Sequence, residues 1–154
     1  MRVQDLLKKE LIIAHLSSHN KAGVILELIH HLTSQVPGLD AQEMSRVIQE
    51  RENLGSTGIG EGIAIPHGKM KDLNDFFILF GRSREGVDFQ SMDNKPAYLF
   101  FLLLAPEDSA STHLKVLARI SRLLMDGGFR KNLMEATSAD EIYRIVVEED
   151  NKYT

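Results

Sequence analysis

The sequence predicts one α/β domain over residues 1–154, with a central mixed β-sheet flanked by helices. Apolar segments of helical period and of strand length alternate along the chain, with no internal repeat and no low-complexity stretch. A chain of 154 residues suits a single core, burying about 70% of the surface its unfolded form exposes. The longest apolar run, residues 98–105, lies between Pro96 and Pro106 and has the length of a buried strand.

Over residues 21–35, Val24, Leu28, Ile29 and Leu32 recur at helical spacing, and Pro37-Gly38 ends the helix. Asp40 caps a second helix that reaches about Glu50, with Glu43 placed as in a capping box. Ile63, Ala64 and Ile65 form a short strand; Pro66 keeps Ile65 extended, and Gly68 is expected to turn the chain away immediately afterwards. Residues 76–82 and 97–105 are two further strands of the sheet, separated by Gly86-Val87-Asp88-Phe89 and a turn at Asp93-Asn94. Residues 112–125 carry a broad apolar helical face that includes Val116, Ile120 and Leu124, and Gly127-Gly128 is expected to stop that helix. Two short helices follow at about residues 130–136 and 139–148, the latter with a Ser138/Glu141 capping box.

Composition narrows the chemistry. The chain has no cysteine, which removes disulfides, thiol nucleophiles and thiolate metal sites and fits a reducing, cytoplasmic location. No apolar run is long enough to span a bilayer and the N-terminus lacks a signal-peptide pattern, so no direct membrane insertion is expected. The formal net charge is −4 and no basic stripe is present, which argues against nucleic acid and for protein partners.

The segment from Gly55 to Lys69, GSTGIGEGIAIPHGK, is the most informative in the chain. It delivers His67 at the end of a short buried run. Gly55, Gly58, Gly60 and Gly62 allow tight turns and close approach of another backbone or an anion. A nucleophilic imidazole that receives a phosphoryl group needs such surroundings; a glycine-rich hairpin beside a hydrogen-bonded histidine fits the spacing equally well. Nucleotide motifs do not fit. Gly55 and Gly60 have P-loop separation, but Glu61-Gly62 stands where Lys-Ser or Lys-Thr belongs, and a dinucleotide fingerprint would open a helix rather than a strand.

Two further residues are candidates on physical grounds. His113 lies just inside the predicted start of the helix over residues 112–125, where free N–H groups and the helix dipole favour an anion and a neutral imidazole; ordinary packing near a helix start is the alternative. Arg51 ends the second helix directly before the glycine segment. A guanidinium can hold two phosphoryl oxygens at fixed geometry, or simply complement the helix dipole. His15 and His19 have the i, i+4 spacing of a metal pair, yet Ser17, Ser18 and Asn20 disfavour a helix there, and adjacent His30 and His31 diverge on a helix. Ser56 lies in Gly-Ser-Thr-Gly, not in the Gly-x-Ser-x-Gly of a nucleophile elbow.

The stretch from Arg51 to Gly68, RENLGSTGIGEGIAIPHG, closely resembles the active-site region of the fructose/mannitol-type IIA domain (EIIA type 2) of the phosphoenolpyruvate-dependent phosphotransferase system, most of all its nitrogen-regulatory branch. The resemblance extends to Thr112-His113-Leu114 and to the region around Ser138–Tyr143. It implies an EIIA mannitol/fructose-like fold, with His67 as phosphoacceptor through Nε2 and His113 and Arg51 as stabilisers of the phosphoryl group. Ser56, Thr57 and the backbone at Gly58 are candidates for further phosphate contacts, ranked lower because small hydroxyl residues beside glycine commonly form turns. It also implies an HPr-like phosphocarrier protein as donor, a regulatory target protein or a IIB domain as acceptor, and no metal or cofactor.

Three roles remain open on the sequence. A regulatory phosphocarrier whose two forms bind targets differently leads, in line with the nitrogen-regulatory resemblance. A IIA component of fructose or mannitol uptake is next, weakened by the absence of a IIB or membrane segment in these residues. A binding module that is not phosphorylated is third, and the presence of Arg51, His67 and His113 argues against it.

Overall fold

The computed structural model describes residues 1–153. The elements in chain order are α1 (Val3–Leu6), β1 (Leu7–Ile13), α2 (Lys21–Gln35), α3 (Ala41–Asn53), β2 (Gly58–Gly60), β3 (Ile63–Ala64), β4 (His67–Met70), β5 (Phe77–Val87), β6 (Ala97–Pro106), α4 (Ala110–Leu124), α5 (Gly127–Glu135) and α6 (Ala139–Asn151).

The six strands form one mixed sheet in the order β1-β5-β6-β3-β2, with β4 also paired to β6. Strands β5 and β6 run antiparallel, with Phe80 opposite Phe101, whereas β1 is parallel to β5 and both β3 and β4 are parallel to β6. Residues 78–83 of β5 and 99–105 of β6 are buried without alternation, the pattern of strands covered on both faces. Helices α2 and α3 pack together against β1, β5 and β4, while α4 and α5 pack on β6 and α6 on β1. One apolar cluster joins these layers, from Val3 and Leu7 to Ile142 and Val146.

Helices α2, α3 and α6 start where the sequence places them, because each has a side-chain cap. Asn20 Oδ1 accepts from the Gly23 N–H, Asp40 Oδ1 from Glu43 and Ser138 Oγ from Glu141. The reciprocal halves of the two expected capping boxes are replaced: the Glu43 carboxylate engages Arg46, and that of Glu141 accepts from Thr137.

Elsewhere the structure corrects the sequence reading. Gly68 does not turn the chain away. Residues 67–70 continue as β4, registered His67 to Leu103 and Met70 to Pro106, and the Pro66 carbonyl accepts from Leu103 N–H, so pairing to β6 carries on past the proline. Gly68 instead admits α3: a Cβ there would lie 2.5 Å from Val47 Cγ1. Gly127-Gly128 does not stop a helix but opens α5, whose cap is Asp126 accepting from Phe129 N–H. Strand β1, unanticipated, carries Lys8, Lys9 and Glu10 exposed at its centre.

Candidate active site

A cleft of about 730 Å³ opens between the C-terminal end of α3, the start of β4 and the first turns of α4; Arg51, His67, Lys69 and His113 line it. It brings together the three residues singled out in the sequence, which lie on three different elements. The imidazoles of His67 and His113 meet edge to face, with ring centroids 5.5 Å apart. Exposed Leu54 and Leu114 border the cleft, so its mouth is apolar and open.

The orientation of His67 follows from the local chain. Ile65 sits between β3 and β4, and His67 Nδ1 lies 2.8 Å from its carbonyl oxygen. A carbonyl can only accept, so Nδ1 carries the proton and Nε2 keeps its lone pair. Burial lowers the pKa of His67, with Arg51 acting in the same direction; the Ile65 bond and Glu52 oppose them. The resting ring is therefore neutral at physiological pH.

His113 lies in the first turns of α4 and is buried. Its own amide already donates to Ser109 O at 2.8 Å, so the free N–H groups of the helix lie one turn earlier. Burial, followed by the neighbouring His67 and Lys69, pushes its pKa down to about 4; desolvation rather than the helix end is the leading cause. Nδ1 of His113 is buried without a partner. The cheaper neutral tautomer leaves that buried nitrogen bare and places the proton on Nε2, as a donor.

Arg51 occupies the last turn of α3, and its Nη1 donates to the Gly55 carbonyl at 2.8 Å. One arm of the guanidinium is thus fixed to the start of the glycine segment. Ser56, Thr57 and Gly58 do not line the cleft. Ser56 Oγ donates to Phe89 O at 2.7 Å and accepts from Gly58 N–H at 3.0 Å, while the Thr57 hydroxyl donates to the Glu52 carboxylate. Gly58 has no room for a side chain, since a Cβ would lie 2.4 Å from Ser91 Oγ. These three residues hold the segment in shape from behind.

Lys69 was not singled out in the sequence. It lies two residues after His67, and on a strand that spacing puts both on one face, a signal hidden by expecting a turn at Gly68. Of the other histidines, His15 and His30 are exposed, His19 Nδ1 lies 3.5 Å from Glu85, and His31 Nε2 donates to Glu10 O at 2.7 Å. Among the described residues no group of three or more His, Asp or Glu is placed to hold a metal ion, and no helix is long and apolar enough to cross a membrane.

Residues 5–149 match the family model for "Phosphoenolpyruvate-dependent sugar phosphotransferase system, EIIA 2". A nitrogen regulatory protein of Bradyrhizobium diazoefficiens is 40% identical over 146 residues, covering 95% of each chain. The fructose-specific EIIABC component of Bacillus subtilis is 43% identical over 150 residues, 97% of this chain but only 24% of that longer protein. The crystal structure of the nitrogen regulatory protein IIA-Ntr from Neisseria meningitidis superimposes with a TM-score of 0.87 at 32% identity, covering 94% of this chain and 98% of that one. With its histidine pair and arginine gathered in one cleft, and with matches along nearly its whole length, the chain belongs to the EIIA 2 family of the phosphoenolpyruvate-dependent sugar phosphotransferase system.

Proposed function

We propose that residues 1–154 act as one phosphocarrier domain in which His67 Nε2 accepts a phosphoryl group from the phosphohistidine of an HPr-like donor protein. The observation that carries this reading is the Nδ1–H bond to Ile65 O, which leaves Nε2 as the unprotonated nitrogen of a neutral ring beside Arg51 and His113. In the transfer the Nε2 lone pair forms the new N–P bond as the donor's N–P bond breaks, and the departing imidazole keeps the electron pair. No proton need move. The free N–H groups of Arg51 and the Nε2–H of His113 would hold the equatorial oxygens as negative charge spreads over them. Ser56, Thr57 and Gly58 would contribute by fixing the glycine segment.

The apolar mouth at Leu54 and Leu114 suits a protein donor and a protein acceptor. On the likeness to nitrogen regulatory proteins we assign a cytoplasmic regulatory role, in which phosphorylation adds about −1.5 to −2 charges at the cleft and alters the binding of a target protein. The likeness to a fructose-specific EIIABC component supports a second reading, onward transfer to a IIB domain.

Intact-protein mass after incubation with phosphoenolpyruvate, enzyme I and an HPr-like carrier tests the phosphocarrier. Wild type is expected to gain one acid-labile phosphoryl group and folded His67→Ala none; equal labelling of both would remove His67 from the reaction. Adding a IIB domain then separates the roles. Slow onward transfer supports regulation, whereas rapid discharge supports uptake.

A further inference from the structure

Glu52 is a carboxylate with a 1% exposed side chain, next to Arg51 but directed inward from α3. Its Oε1 lies 2.9 Å from Lys21 Nζ and accepts from Thr57 N–H at 3.1 Å, while Oε2 accepts from the Thr57 hydroxyl. Lys21 is itself held over the Phe89 ring, 4.8 Å from the centroid. Burying such a group costs free energy that an apolar residue would not, so its placement calls for more than packing.

The bonds continue beyond Thr57. The Thr57 carbonyl accepts from Ile65 N–H at 3.0 Å, and the Ile65 carbonyl accepts from His67 Nδ1–H at 2.8 Å. An unbroken series of contacts therefore runs from Lys21 and Glu52 through Thr57 and through Ile65, between β3 and β4, to the ring of the phosphoacceptor. On the other side of the same helix end, Arg51 Nη1 is tied to the Gly55 carbonyl. The segment between α3 and β2 is thus fastened at two adjacent helix positions that face different ways.

We propose that Glu52 is a positioning residue for the phosphoacceptor: through Thr57 and Ile65 its carboxylate fixes the Nδ1–H tautomer and the ring orientation of His67. The inference rests on the reading of His67 as phosphoacceptor. The arrangement matters most after transfer, when both ring nitrogens bear a substituent and the ring gains positive charge. A fixed Ile65 carbonyl then accepts from a stronger donor, and the nearby carboxylate favours that charge. Lys21 pairs with Glu52 in its buried place.

Glu52→Gln nearly preserves shape but removes the charge, Thr57→Val removes the hydroxyl, and Thr57→Ser restores it. For each variant, thermal unfolding establishes that the chain is folded. Nitrogen-15 shifts of the histidine rings report the tautomer, and single-turnover transfer from a phosphorylated HPr-like carrier reports the rate. Glu52→Gln and Thr57→Val are expected to lose the single Nδ1–H tautomer of His67. They should also slow transfer at saturating donor by about tenfold or more, with half-saturating donor unchanged and Thr57→Ser close to wild type. Wild-type ring shifts and rates in folded Glu52→Gln, or in Thr57→Val, would overturn the proposal. Should wild type itself take no phosphoryl group, the phosphocarrier reading fails separately, and the ring shifts alone then decide whether Glu52 sets the tautomer.

Discussion

His113 is held neutral by burial, with His67 and Lys69 the titratable groups beside it, and its pKa is pushed down to about 4. The native protein therefore binds fewer protons than the unfolded chain between about pH 6.5 and pH 4, so this contribution to stability is full above pH 6.5 and lost as pH falls through 4. At pH 5 the loss is about 2 kcal/mol. Urea unfolding at pH 7 and pH 5 should show His113→Gln less sensitive to acid than wild type by about that amount; equal sensitivity would mean that His113 titrates normally. Arg51→Lys keeps a positive charge but loses the planar fork, so transfer to His67 should slow by on the order of tenfold in single-turnover measurements. A wild-type rate would leave Arg51 only its bond to Gly55. At this scale Arg51 and His67 stood out at the two ends of the glycine segment and His113 at a predicted helix start, and the family resemblance singled out all three. Glu52 was not, because a glutamate near the end of a polar helix reads as exposed until its lysine partner on another helix is seen.

The elements that carry these residues explain which boundaries a sequence can and cannot disclose. Asn20, Asp40 and Ser138 are short polar side chains that cap the next turn, so the starts of α2, α3 and α6 are encoded locally. Strand β1 is encoded by its neighbour: Lys8, Lys9 and Glu10 break the apolar pattern, and pairing to β5 makes it a strand. The same holds for β4, where Gly68 signals a turn by composition but serves the close approach of α3. Gly68→Ala places a Cβ against Val47, and overpacking of this kind costs about 1–3 kcal/mol. Because α3 carries Arg51 and β4 carries His67, the substitution should also weaken phosphoryl transfer. A variant with wild-type urea midpoint and rate would show that the helix and strand separate freely.

Across the whole molecule, one buried ion pair joins the ends of the chain to the helix that carries His113. Asp150, fully buried on α6, pairs with Arg119 of α4 at 2.6 Å and accepts from the Gln4 N–H of α1 at 2.9 Å. Asp150→Ala leaves Arg119 Nε and the Gln4 N–H without an acceptor and so should destabilise the protein by about 3 kcal/mol or more in urea unfolding; a loss below about 1 kcal/mol would show that Arg119 finds water instead. This long-range clasp was invisible in the sequence, whereas the mixed α/β class and its central sheet were legible from alternating periodicities. The proposed transfer converges on one nitrogen atom, Nε2 of His67. The most direct test is NMR of the phosphorylated protein with nitrogen-15 histidine, reading phosphorus–nitrogen coupling at each ring. Coupling is expected at Nε2 of His67 with Nδ1 still protonated; coupling at Nδ1, or at any other histidine, would contradict phosphorylation of His67 at Nε2.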